Sequence, residues 1–176
     1  GGYTVPSVTN DIDFINVDTI GNALDFGNLQ NNIRGKAGLA SRTRGLFAGG
    51  RTPTDLNTID FVTIASTGNA SDFGDLTITS HHGTGLSDAT RGIITAMENP
   101  SWSSSNSNRI DFVTIASTGN ANDFGDLYFG TRECGGCNSP TRGVIFSGTP
   151  SGSNVIQYFT ISTQGNSADF GDLTTV

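Results

Sequence analysis

Short apolar stretches recur along the chain, each bounded by Gly, Asn, Asp, Ser and Thr. In TIDFVTIAS, Ile59, Phe61 and Ile64 fall among Thr and Val, a β-branched and aromatic run too short for a helix. TGNAS then supplies turn residues: Gly68 takes positive φ at little steric cost, and Asn69 can bond its own backbone. DFGDLTI resumes an extended segment, with Phe73 and Leu76 as apolar anchors, and the whole predicts a hairpin. Upstream, RGLFAGG from Arg44 predicts a strand ending at Gly49-Gly50. KAGLASR, GTGLSDA and CGGCNSP are rich in small residues, which suit a strand approached closely by its neighbours.

These segments repeat. GNALDFGNL begins at Gly21, GNASDFGDL at Gly68, GNANDFGDL at Gly119 and GNSADFGDL at Gly165, at spacings of 47, 51 and 46 residues. DIDFINVDTI, TIDFVTIAST, RIDFVTIAST and VIQYFTISTQ precede them, and TRG opens a third phrase at Thr43, Thr90 and Thr141. Each unit therefore predicts four short strands: small-residue, TRG, IDFVTI and DFGDL. Four strands in a period of roughly 50 residues are the pattern of a propeller blade, not of a solenoid coil.

Gly1-Gly2 aligns with Gly49-Gly50, so the first unit lacks its first two strands. The units, roughly 1–29, 30–76, 77–127 and 128–176, make one half unit and three full ones in a single repeat domain. Three arrangements would deal with the open strand edges: a polypeptide continuing in both directions, completion by another copy, or a small closed propeller with one incomplete blade. The first two are favoured, since heterologous contacts between like units generate rings or filaments.

The order of a small-residue strand, an apolar strand ending Gly-Gly, a long loop and a strand reading Leu56-Asn57-Thr58-Ile59-Asp60-Phe61 resembles the kelch repeat. Phe26, Phe73, Phe124 and Phe170 stand where kelch units usually carry Trp, and the double glycine becomes Ala96-Met97 and Ser147-Gly148 in the later units. The wording GNAxDFGDL with TRG and GG also resembles kelch-type repeat proteins encoded by marine bacteriophages. That resemblance implies a virion-associated or extracellular binding protein, and it does not imply an enzyme. The fold class expected is all-β, with kelch-like four-stranded repeats forming a β-propeller or an open or oligomeric relative of one.

Composition narrows the rest. Of 176 residues only 14% are charged, Lys36 is the sole Lys, and Glu98 and Glu133 are the sole Glu, while Gly numbers 24. Straight-chain helix formers are too scarce for a helical bundle. A net charge of −7 argues against a nucleic-acid partner. No apolar run approaches the ~18 residues of a membrane span, so membrane insertion is not expected. No charged-then-apolar leader pattern opens the chain.

Asp25, Asp72, Asp75, Asp123, Asp126, Asp169 and Asp172 recur in the DFGD phrase. Hard carboxylate oxygens there suit Ca²⁺. The favoured reading is structural, with each Asp accepting backbone N–H bonds and pinning its hairpin, because a catalytic site normally occurs once rather than per repeat. Cys134 and Cys137 form a lone CxxC without a βαβ setting. A shared metal site with His81 and His82, a local disulfide, and simple packing in a small-residue strand are the alternatives, the last favoured. No metal and no cofactor are expected. No GxSxG elbow appears, and no acidic pair is distinguished from the others, so an enzyme is not expected either.

Arg44, Arg91 and Arg142 recur in TRG, suited to lining an anion-binding face or, preferably, to bonding a carboxylate or carbonyl of a neighbouring strand. YTVPSVTND, RTPTDLN, ENPSWSSSNSN and TPSGSN read as variable loops on one face, where binding usually resides. Trp102, with Arg51 and Tyr3 as weaker companions, is the candidate contact for a sugar ring or a protein partner. The function expected is a non-catalytic structural and adhesive module of a phage particle or extracellular filament, placed outside the cell or on the virion surface. Its partners would be copies of itself, neighbouring repeats, surface glycan or virion protein. A purely architectural self-assembling subunit is the alternative, and a propeller enzyme of sialidase or galactose-oxidase type comes third.

Overall fold

The computed structural model describes residues 2–4, 6–99, 108–148 and 154–175. Within them every regular element is a strand. A small hairpin, β1 (Gly2–Thr4) and β2 (Ser7–Thr9), precedes the antiparallel pair β3 (Asp11–Phe14) and β4 (Leu24–Asn28). The first full sheet starts with β5 (Ala37–Ala40) and β6 (Arg44–Ala48). A two-residue-wide hairpin, β7 (Arg51–Thr52) and β8 (Thr54–Asp55), then leads into β9 (Thr58–Thr63) and β10 (Ser71–Asp75).

The second sheet holds β11 (Thr84–Ser87), β12 (Arg91–Thr95), β13 (Arg109–Thr114) and β14 (Asn122–Asp126). The third holds β15 (Gly135–Asn138), β16 (Arg142–Phe146), β17 (Val155–Thr160) and β18 (Ala168–Asp172). Each is an antiparallel meander in chain order, and none closes on itself. The expected all-β fold of four-stranded repeats is thus present, and sheets that do not close are consistent with the open relative of a propeller. Two stretches expected to be plain loops, after Gly2 and after Gly50, instead carry the tight hairpins β1–β2 and β7–β8.

The fourth strand of every unit is bent by one extra residue. Asp72 pairs with Asp60 and Gly74 with Ile59, leaving Phe73 unpaired between them, and Phe26, Phe124 and Phe170 occupy the same bulge. The bulge sets each phenyl edge-on to the aromatic ring of the preceding strand. Phe26 meets Phe14, Phe73 meets Phe61, Phe124 meets Phe112 and Phe170 meets Tyr158, at centroid distances of 6.0, 5.9, 6.0 and 5.8 Å. Local geometry at the four Phe positions is therefore the same.

The core lies between successive sheets rather than inside any one. Alternation along β9 sends Ile59 and Phe61 toward the second sheet, where they join Ile94, Val113 and Ile115, and sends Val62 back toward Phe26 and Leu29 of the first pair. Along β13, Val113 faces the first sheet and Ile110 faces the third, packing with Leu86, Ile145 and Phe159. The small-residue strands lie alongside one another, β11 against both β5 and β15. A Cβ at Gly85 would land on the Gly38 carbonyl, which is the close approach that those residues permit.

Among the buried polar residues, one place recurs in every full unit, the residue after the first Ile of the third strand. Asp111 accepts Thr77 N–H at 2.9 Å and its hydroxyl at 2.7 Å. Gln157 accepts Phe129 N–H at 3.0 Å and donates to Phe129 O at 2.8 Å. Asp60 pairs with Lys36 Nζ at 3.1 Å. In each case the side chain ties down the segment arriving from the preceding repeat.

Candidate functional site

The Gly-Asn-Ala phrase, expected as the turn, follows the turn instead, which closes between Thr63 and Ser66. Gly68 N–H donates to Phe26 O at 2.7 Å and Ala70 N–H to Asn28 O at 2.8 Å, while Asn69 Oδ1 accepts Asn28 N–H at 3.0 Å. The same three bonds recur one repeat on, from Gly119, Ala121 and Asn120 to the Phe73–Asp75 edge, at 2.7, 2.8 and 3.0 Å. They recur again from Gly165, Ser167 and Asn166 to the Phe124–Asp126 edge, at 2.9, 2.8 and 3.0 Å. Each unit thus lays its GNA segment as a short extra strand on the outer edge of the unit before it. The glycine after each bulge is required there: Gly74 has φ +143°, and a Cβ on it would fall on the Gly119 carbonyl.

The TRG arginines reinforce the join from the opposite direction. Arg44 lies 4.7 Å over the Phe61 ring and donates to Ile115 O of the next sheet at 3.0 Å. Arg91 lies 4.8 Å over Phe112 and donates to Ile161 O at 2.7 Å. Their role is carbonyl bonding, but to the neighbouring repeat rather than within the sheet. Arg142 stacks at 4.6 Å on Tyr158 with its guanidinium at the exposed end of the array.

At the two ends the halves of this latch are uncovered. Phe26, Phe73 and Phe124 are 9%, 2% and 3% exposed, whereas Phe170 is 54% exposed. Ala70, Ala121 and Ser167 are buried, whereas Ala23 and its whole flank, residues 13–25, are exposed. Ile15, Val17, Ile20 and Leu24 add apolar surface to that flank. A ready-made acceptor edge therefore lies at β18 and a ready-made donor segment at Gly21-Asn22-Ala23.

The acidic residues singled out from sequence lie on these outer strands, all exposed or half-buried. Asp123 and Asp169 each accept the N–H of the glycine two residues on, at 3.0 Å, so they support the bulge rather than the hairpin turn. Of the residues expected on a binding face, Trp102 lies outside the described residues. Tyr3 and Arg51 do come together. With Arg34, Val8, Thr52 and Pro53 they line a cleft of about 240 Å³, and the Arg34 guanidinium lies 4.8 Å over the half-exposed Tyr3 ring.

That cleft continues into a charged row built from equivalent repeat positions. The backbones of Arg34 and Arg51 pair, as do those of His81 and Glu98 one sheet on. Arg51 Nε stands 3.8 Å from Asp55 Oδ1, and His81 Nδ1 is 3.1 Å from the same oxygen. Glu98 Oε2 is 3.5 Å from His81 Nε2 and 3.3 Å from His82 Nδ1, and its Oε1 is 2.8 Å from Arg132 Nη1. Glu133 Oε1 is 3.1 Å from His82 Nδ1. Burial lowers the His81 pKa below the usual histidine value against the pull of Asp55. Both histidines and both glutamates of the chain thus meet at one point.

The cysteines are not part of it. Both are free, and with Cys137 inside β15 and Cys134 just before it, their Cα atoms stand about 10 Å apart along extended chain, beyond disulfide reach. Cys134 packs against the core beside Thr84, where burial raises its thiol pKa, and Cys137 is exposed. Compared with known proteins, the chain matches no family model and no curated sequence.

Proposed function

We propose that the chain is a non-catalytic structural module whose units extend an array by the GNA-to-DFGD latch, and that its two uncovered halves join it to further repeats of the same kind. One observation carries this reading. The latch that holds sheet to sheet three times over is displayed at both ends, acceptor edge at Phe170–Asp172 and donor segment at Gly21–Ala23. An exposed strand edge with its own complement elsewhere on the molecule makes a heterologous contact that propagates. The kelch-like strand order and the likeness to marine bacteriophage repeat proteins support a place on a virion or in an extracellular filament.

Sedimentation across a dilution series of the full chain tests the reading. Concentration-dependent association is expected, and Gly171→Ala or Phe170→Asp should abolish it, Phe170→Asp with little change in the melting temperature of the monomer and Gly171→Ala with only the drop that its strained backbone imposes. A chain that stays monomeric throughout, or association that neither variant touches, would overturn it. The Tyr3 cleft supports a second, adhesive role, since an exposed aromatic beside two guanidinium groups suits a sugar ring bearing an anionic group. A glycan array read with Tyr3→Ala beside the parent chain tests that role, and no signal above background from the parent would exclude it.

A further inference from the structure

We infer that His81, His82 and Glu98 form a binding site for a divalent transition-metal ion, zinc foremost, with Glu133, whose Oε1 lies 3.1 Å from His82 Nδ1, as the fourth donor. The inference is independent of the assembly reading above.

The ligand atoms of His81, His82 and Glu98 all lie within 4.8 Å of one another. Glu98 Oε2 sits between His81 Nε2 at 3.5 Å and His82 Nδ1 at 3.3 Å. Charge-assisted hydrogen bonds run at about 2.7–2.9 Å. The two separations are longer, the 3.3 Å one forming a long hydrogen bond between His82 and Glu98, and both lie near the ~3.3 Å edge of a tetrahedron whose corners stand about 2.0–2.1 Å from zinc. Imidazole nitrogen with carboxylate oxygen suits zinc and its first-row neighbours, whereas calcium and magnesium favour oxygen alone.

The surroundings complete the pattern of a metal site. Asp55 Oδ1 stands 3.1 Å from His81 Nδ1 without an aligned hydrogen bond, which puts a buried carboxylate beside one ring nitrogen and leaves Nε2 toward the cluster. Asp55 is almost wholly buried, and neither of its oxygens completes an aligned hydrogen bond among the described residues. Arg132 holds Glu98 Oε1 and thereby presents Oε2. His81 is buried while His82 and Glu133 are open to solvent, which gives an ion a way in. His82 and Glu133 also hold left-handed backbone, φ +54° and +51°, at the position where the preceding repeat has Gly35. The donors come from two repeats and the supporting Asp55 from a third, so a bound ion would staple three sheets together.

The test uses the untagged full chain, stripped with chelator, titrated with Zn²⁺ by calorimetry and with Co²⁺ by visible absorption. One ion per chain is expected, with the d–d bands of a low-coordinate Co²⁺ and no thiolate charge-transfer band. His82→Gly, which suits the left-handed backbone and should fold, and Glu98→Gln should each weaken binding at least ~10-fold, and Asp55→Asn by about 10- to 100-fold. Cys137→Ser should bind as the parent does. A parent chain that takes up no stoichiometric ion, binding unchanged in both His82→Gly and Glu98→Gln, or a thiolate band would each overturn the assignment.

Discussion

Gly125 and Gly171 occupy the same bulge with nearly the same backbone, φ +147° and +139°. Alanine at either position imposes the same strained conformation, which costs about 1–3 kcal/mol. The surroundings differ. At Gly125 the new methyl meets the Gly165 carbonyl group at 2.6 Å, whereas at Gly171 it meets nothing within 4 Å. Gly125→Ala must therefore displace the latch of the third sheet as well, with its bonds Gly165 N–H to Phe124 O, Ser167 N–H to Asp126 O and Asp126 N–H to Asn166 Oδ1. At about 0.5–1.5 kcal/mol per bond, that adds about 1.5–4.5 kcal/mol. Urea unfolding of dilute monomer, followed by far-UV circular dichroism, gives both free energies, and their difference cancels the common strain. If the two variants agree within about 0.5 kcal/mol, the limit of additivity at separate sites, the latch contributes nothing and the reasoning fails.

Three further outcomes follow from the same geometry. Phe73→Ala should cost about 3–5 kcal/mol through the cavity it leaves, but Phe170→Ala under about 1 kcal/mol, as read by the same unfolding assay. Burial raises the Asp111 carboxyl pKa, against the bonds from Thr77 that lower it. An acid whose pKa is raised on folding contributes stability below the unfolded value of about 3.9, and that contribution is lost as pH rises through the folded value. Asp111→Asn, which puts a neutral amide where the third repeat has Gln157, should therefore gain in melting temperature relative to the parent between about pH 3 and pH 7; a gap that does not move with pH would contradict this. A thiol reagent should label Cys137 rapidly and Cys134 only on unfolding; two equally fast thiols would refute their placement.

Period, turn residues and β-branched runs were enough to read four strands per unit, because those signals are local. They also located Phe26, Phe73 and Phe124 as core anchors. The same wording misleads at Phe170, whose neighbours are identical in sequence but whose covering repeat is missing among the described residues. GNA reads as a turn, but the turn falls just before it, at Ile64-Ala65, and GNA itself runs extended; its role as an edge strand depends on which edge faces which repeat, which no single unit reveals. Ile64 shows the same effect, exposed where its equivalents Ile115 and Ile161 are covered by the preceding sheet.

The histidine and glutamate cluster did leave a trace. Aligned repeats place Arg34, His81 and Arg132 together, then Gly35, His82 and Glu133, then Arg51 and Glu98. The chemistry sits where the repeats disagree, and reading for agreement passes over it. Asp55 was hidden for a different reason, since its burial comes from the β7–β8 hairpin in a stretch that looks like open loop.

Amide hydrogen exchange, resolved by residue in dilute monomer, tests the latch most directly. Gly68, Ala70, Gly119, Ala121, Gly165 and Ser167 should exchange slowly, while Gly21 and Ala23, in the same phrase but without an acceptor edge among the described residues, should exchange at near open-chain rates. Raising the concentration should slow those two alone. Equal exchange at all eight amides in the monomer would contradict the account.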